Sequence, residues 1–111
     1  MANLRTDLSD SQSATLKKRH TMNIDVYDTY ATSKAGKTIH IDVFLPSGGN
    51  KEAALRHAHA FLKSIGETAE ALKSERCTFC HSERANPVVE AEIATSGHYI
   101  LQMEGCPNPY R

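Results

Sequence analysis

Two stretches of apolar–polar alternation lie close together in the chain and constrain its architecture more than any other feature. Over residues 22–30, Ile24 and Val26 fall on one side and Asn23, Asp25 and Tyr27 on the other. Over residues 37–45, Ile39, Ile41, Val43 and Leu45 alternate with Thr38, His40, Asp42 and Phe44. A period of two is that of a strand with one buried face. The intervening Ala31–Gly36 reads as the loop of an antiparallel hairpin. Pairing Tyr30 with Lys37 sets Val26 opposite Ile41 and Ile24 opposite Val43, which gathers these apolar residues on one face. The same register sets Tyr27 opposite His40 and Asp25 opposite Asp42.

After the hairpin the period changes. Pro46–Asn50 is turn-forming, Asn50 is a good helix N-cap, and Leu55, Ala58, Leu62 and Ile65 recur at helical spacing before Gly66. Residues 67–85 show no clear period and are expected to be irregular, with at most a short edge strand near Ser74–Thr78. A second helix is expected from Asn86 as cap and Pro87 in the first turn, with Val89 and Ile93 inward, to Gly97. Residues 98–104 read as a final strand. The order ββα-loop-αβ predicts a small α+β two-layer sandwich, with the helices on one face of the sheet. The expected domain is 22–106, and 107–111 is a short Pro-containing tail. Residues 1–21 have no aromatic side chain and too little apolar surface to offset the entropy of ordering, so they are expected to be a disordered extension.

Charge and cysteine content exclude several classes. Lys plus Arg and Asp plus Glu both number 13, so the net charge is zero and the basic excess of a dedicated nucleic-acid binder is missing. No apolar run approaches the ~18 residues of a membrane span. The first twenty-one residues lack the apolar stretch of ~7–15 residues that a secretory signal needs, so a cytoplasmic protein is expected. Three cysteines are too few, and odd in number, for a disulfide framework. A monomer or small homo-oligomer is expected, with no partner identified.

The motif richest in chemistry is Cys77-Thr78-Phe79-Cys80-His81. Two cysteines separated by two residues can place both sulfurs on one zinc ion, and Cys106 is the natural third ligand. His98 cannot share that ion, since eight extended residues separate it from Cys106 by roughly 26 Å. The second helix is only ~15 Å long, so the last strand carries Cys106 back past the helix start, towards Cys80 and His81. The candidate metal set is therefore Cys77, Cys80, His81 and Cys106, although a residue beside a ligating cysteine often points away. A structural zinc there would staple the 67–85 segment to the last strand; a reactive Cys77/Cys80 dithiol, and a non-catalytic protein-interaction domain with inert, partly buried thiols, are the alternative readings. Attachment of c-type haem needs export, and a thioredoxin-like CxxC should open a helix, so neither fits. Gly36-Lys37-Thr38 lacks the strand-to-helix context of a phosphate loop. His57 and His59 are ~200° apart on a helix and cannot chelate one ion. The His40 and Asp42 surface offers an acid/base alternative, in which carboxylates beside an imidazole raise its basicity.

Met22-Asn-Ile-Asp-Val-Tyr-Asp-Thr-Tyr, His40-Ile-Asp-Val43, Ser64-Ile-Gly66, Cys77-Thr-Phe-Cys-His81 and Met103-Glu-Gly-Cys106 occur together and in order. Over roughly residues 22–106 the chain resembles the small bacterial family catalogued as domain of unknown function 2024. The resemblance implies one α+β domain and no assigned activity. It places Cys77, Cys80, His81 and Cys106 in recurrent motifs, and adds Tyr27, Asp28, Tyr30, His40 and Asp42 as a second recurrent group.

Overall fold

In the computed structural model, residues 22–109 are described; the expected extension 1–21 and the last two residues of the expected tail lie outside them. The hairpin forms from β1 (Asn23–Thr32) and β2 (Thr38–Pro46), closed by a turn in which Ser33 N–H donates to Lys37 O and Gly36 N–H to Ser33 O. Helix α1 (Lys51–Ser64) follows, then two single 3₁₀ turns, strand β3 (Cys77–Arg84), helix α2 (Pro87–Ser96) and strand β4 (Tyr99–Gln102). The four strands form one antiparallel sheet in the order β3-β1-β2-β4. The protein is α+β, in the expected element order apart from β3. No helix among the described residues is long and apolar enough to cross a membrane.

The hairpin register differs from the expected one. Thr32 pairs with Thr38, Tyr30 with His40, Asp28 with Asp42 and Val26 with Phe44. The five-residue turn lets both strands run further before reversing, which moves the pairing by three residues. An odd shift exchanges faces. Tyr27, Thr29 and Ala31 therefore share a face with Ile39, Ile41, Val43 and Leu45, while Ile24 and Val26 share the other with Phe44.

Both faces are consequently apolar where a helix lies on them. Ala54, Ala58 and Leu62 of α1 pack on the Ile39–Leu45 face, and Val89 and Ile93 of α2 pack on Ile24, Val26 and Phe44. The helices, expected together, thus divide between the two sides of the sheet. Their boundaries follow the expected caps. The Asn50 side chain accepts from Ala53 N–H at 2.8 Å and that of Asn86 from Val89 N–H at 2.9 Å, while Gly97 ends α2 in the left-handed region.

Neither edge of the sheet is a plain ladder. The CxxCH motif lies in edge strand β3 rather than in a loop. Its pairing passes from Tyr27↔Phe79 directly to Val26↔His81, so Cys80 is the extra residue of a bulge. At the opposite edge, the chain beyond β4 folds back over β2: His40 N–H donates to Glu104 O, Met103 N–H to His40 O, and Cys106 Sγ–H to His40 O. Gly105 makes this approach possible, with φ +79° and no room for a Cβ, which would collide with Thr38 O. Gly97 has a similar φ of +84° but open space around it. Gly105→Ala is expected to cost ~2–4 kcal/mol, from left-handed strain plus overpacking, against ~1–2 kcal/mol for Gly97→Ala. Equal losses in thermal or urea unfolding would show that the close approach does not hold His40 in place.

Candidate functional site

Helix α2 covers only one end of its face of the sheet. At the other end that face carries Asp28 and Tyr30 from β1 and His40 and Asp42 from β2, paired across the hairpin. His40 Nε2–H donates to Asp28 Oδ1 over 2.6 Å, and Asp42 Oδ1 lies 3.6 Å from the same nitrogen. Among the described residues this is the one set of three His, Cys, Asp or Glu side chains whose ligand atoms all lie within 4.8 Å of one another. The Tyr30 ring stacks on the His40 imidazole, centroids 4.2 Å apart and planes 11° from parallel, which fixes the plane of the ring. Hydrogen bonds from the chain beyond β4 hold both the N–H and the carbonyl of the His40 main chain.

The electrostatics follow from partial burial. Asp42 Oδ1 is buried and without a hydrogen-bond partner. Burial above all, then the neighbouring Asp28 carboxyl, pushes the Asp42 carboxyl up to about 6, against the opposing pull of His40 and His81. The charge of Asp28 is also the chief cause that raises the Tyr30 hydroxyl. The Arg76 guanidinium sits 5.6 Å from the centre of the Tyr30 ring. Tyr30 and Arg76 in turn line a cleft of about 380 Å³ with Lys73, Glu70 and Glu75, within the size range of small-ligand sites. Tyr30 is the wall shared by cluster and cleft.

Of the five residues in the expected polar group, four meet. Tyr27 is the exception: it faces the α1 side, buried, with its hydroxyl donating to Gly49 O at 3.3 Å. Asp25, expected opposite Asp42, instead accepts from Ser47, Gly48 and Ser82 and closes the Pro46–Gly49 turn.

The expected metal set does not converge. No three ligand atoms of Cys77, Cys80, His81 and Cys106 lie within 4.8 Å of one another. Cys77 is fully buried on the α1 face, where its Sγ accepts from Thr29 Oγ1 at 3.4 Å. Cys80 is exposed on the bulge. Cys106 is buried against β2, with β1 and β2 between it and β3, roughly 10–14 Å of sheet. The return of the last strand places Cys106 at the far edge because β4 pairs with β2 and not with β3. Arg76 is a site residue that no spacing in the sequence marks, since it reaches Tyr30 from a 3₁₀ turn distant in the chain.

An ionised carboxylate held in this setting opposes folding. With its folded value raised above the ordinary 3.8, Asp42 binds its proton more tightly in the native state, so stability falls as pH rises from about 4 through 6. In chelator-treated protein at pH 7.5, Asp42→Asn is expected to stabilise by ~1 kcal/mol after solvent screening, about 4–8 °C in Tm, and the gain should vanish near pH 4. A variant melting below wild type at pH 7.5 would contradict this account.

The sequence profile described as "Domain of unknown function (DUF2024)" matches residues 22–103. The chain is also similar to a protein of known structure, NE1680 from Nitrosomonas europaea, solved by NMR. That similarity has 44% identity and a TM-score of 0.68, covering 77% of this chain and 99% of the other. No curated protein matches it. A match over most of the chain, together with the shared fold at this identity, shows that the protein belongs to the DUF2024 family.

Proposed function

We propose that the protein binds a divalent transition-metal ion through Asp28, His40 and Asp42 and presents it to small molecules at the open end of the sheet. The observation that carries this reading is the convergence of one imidazole nitrogen and two carboxylates on one point. Metal bonds of about 2.0–2.1 Å set tetrahedral ligand atoms roughly 3.4 Å apart. Asp42 Oδ1 already lies 3.6 Å from Nε2, and Asp28 Oδ1, at 2.6 Å, needs a shift of under ~1 Å. In that shift His40 Nε2 gives up its proton and exchanges a hydrogen bond for a metal bond. The ion would also supply the partner that buried Asp42 Oδ1 lacks.

The donor set is nitrogen and oxygen without sulfur, which suits Zn²⁺, Mn²⁺ or Fe²⁺ and disfavours thiophilic ions. Three protein ligands leave a coordination position free, the arrangement of a reacting site rather than of a structural staple. A bound ion there supplies a Lewis acid. The chain's own residues do the rest: Tyr30 holds the imidazole plane, and Arg76 and Lys73, balanced by Glu70 and Glu75, give the adjoining cleft a mixed-charge polar lining.

Zinc titration by calorimetry, with elemental analysis after dialysis, tests this. One Zn²⁺ per chain is expected for wild type, for Cys80→Ser and for Cys77→Ala, with at least ~10-fold weaker binding for His40→Ala and Asp42→Asn. A Co²⁺-loaded sample should show no thiolate charge-transfer band. Loss of the ion in the cysteine variants would move the site to the thiols, and absence of binding in wild type would end the proposal. A further expectation concerns stability: zinc at about 100 times its Kd should stabilise wild type by ~2.7 kcal/mol and leave Asp42→Asn unmoved.

A further inference from the structure

The exposed face of β3 carries a second constellation, separate from the Asp28–His40–Asp42 centre. His81 Nδ1 lies 3.2 Å from Cys80 Sγ, and His81 Nε2 lies 2.6 Å from Glu83 Oε1. With Glu83 accepting Nε2–H, Nδ1 is left with its lone pair directed at the thiol. A nucleophile, a base and an acid orienting the base thus stand in series, all on the molecular surface.

The bulge is what makes this arrangement possible. In a regular strand, neighbours point to opposite faces and Cys80 could not meet His81. With Cys80 as the extra residue between Phe79 and His81, the alternation is broken and the two side chains share a side. His81 and Glu83, two apart on the regular part of the strand, share a face by the ordinary period. On the same face, Asp42 is the charged group whose carboxyl lies within the field of His81, while Asp25 of β1 belongs to the opposite face, where Ser82 and the Ser47–Gly48 turn engage it.

We propose that Cys80 is a nucleophilic thiol served by His81 and oriented through Glu83, and that its substrates are low-molecular-weight disulfides. His81 Nδ1 takes the thiol proton as Cys80 Sγ attacks one sulfur of the disulfide R–S–S–R. The S–S bond breaks, Cys80–S–S–R forms, and the leaving thiolate takes the proton from His81 and departs as R–SH. The disulfide is itself the oxidant: the Cys80 sulfur is oxidised as the departing sulfur is reduced to R–SH, and no further co-reactant is required. Cys77 and Cys106 are buried, Cys77 on the opposite face, so neither is placed to resolve the product, and the mixed disulfide is the end state. This replaces the Cys77/Cys80 dithiol, whose members the sheet separates.

The test uses the reduced full chain with chelator present, iodoacetamide and oxidised glutathione as probes, and mass mapping of each cysteine. One adduct per native chain is expected, on Cys80. An unassisted thiol is only about 3% ionised at pH 7, which leaves room for acceleration. Wild type should react about tenfold faster than His81→Ala at pH 7, and about threefold faster than Glu83→Gln. The rates should converge near pH 10, where a thiol ionises unaided. A merely structural role for His81 would not produce that convergence. All three side chains are exposed, so the variants should melt with wild type, and their zinc titrations should be unchanged. Equal rates for wild type and His81→Ala at pH 7, or adducts on Cys77 or Cys106 in the folded protein, would overturn the proposal.

Discussion

Because side chains alternate across a sheet, the pairing of Asp28 with Asp42 and of Tyr30 with His40 decides at once which residues become core and which become site. That register places Tyr27, Thr29 and Ala31 with the Ile39–Leu45 row under α1, and leaves Ile24, Val26 and Phe44 to be covered by α2. It also brings two carboxylates, an imidazole and a tyrosine to neighbouring positions on the end of the face that no helix covers. A slip of one residue would bury the carboxylates and expose the isoleucines, so the core and the cluster specify the same pairing.

The cluster is held more firmly than an exposed hairpin surface usually is. Hydrogen bonds from the chain beyond β4 clamp the His40 main chain, Tyr30 stacks on its ring, and Asp28 accepts from its Nε2. Against this, Asp42 is kept in a setting that disfavours its charge. A folded protein retains such an arrangement only where the surrounding structure overdetermines it, which is characteristic of sites that bind or react. The His40 clamp needs a chain that can pass within van der Waals contact of Thr38, hence the glycine at position 105.

The three cysteines, which look alike in composition, occupy three different environments. Cys77 is a core residue under α1, Cys106 packs beneath the returning tail where burial pushes its thiol up, and Cys80 is turned outward by a bulge. Sheet order is the cause. With β1 and β2 between β3 and β4, the two edges that carry sulfur cannot share an ion. The bulge, which blunts an otherwise regular edge strand, also sets the only exposed thiol of the described residues beside an imidazole.

Local chemistry alone determined much of this protein. The two helices, with Asn50 and Asn86 as caps and Gly97 as a stop, and the two hairpin strands were legible because capping and periodicity are properties of neighbouring residues. Membership of the family was legible in the YDTY, CTFCH and MEGC blocks, and with it most of the polar group, though not its geometry. The register was not legible, since a hairpin turn one residue shorter or longer is compatible with the same alternation. Nor was β3, whose CTFCHSER sequence has neither an apolar row nor a strand period and becomes a strand only because β1 offers it a free edge. Only the tertiary structure could decide that Asp28, His40 and Asp42 meet while Cys77, Cys80, His81 and Cys106 do not. Convergence of side chains depends on the order of strands in the sheet, and hydrogen bonds between distant segments set that order.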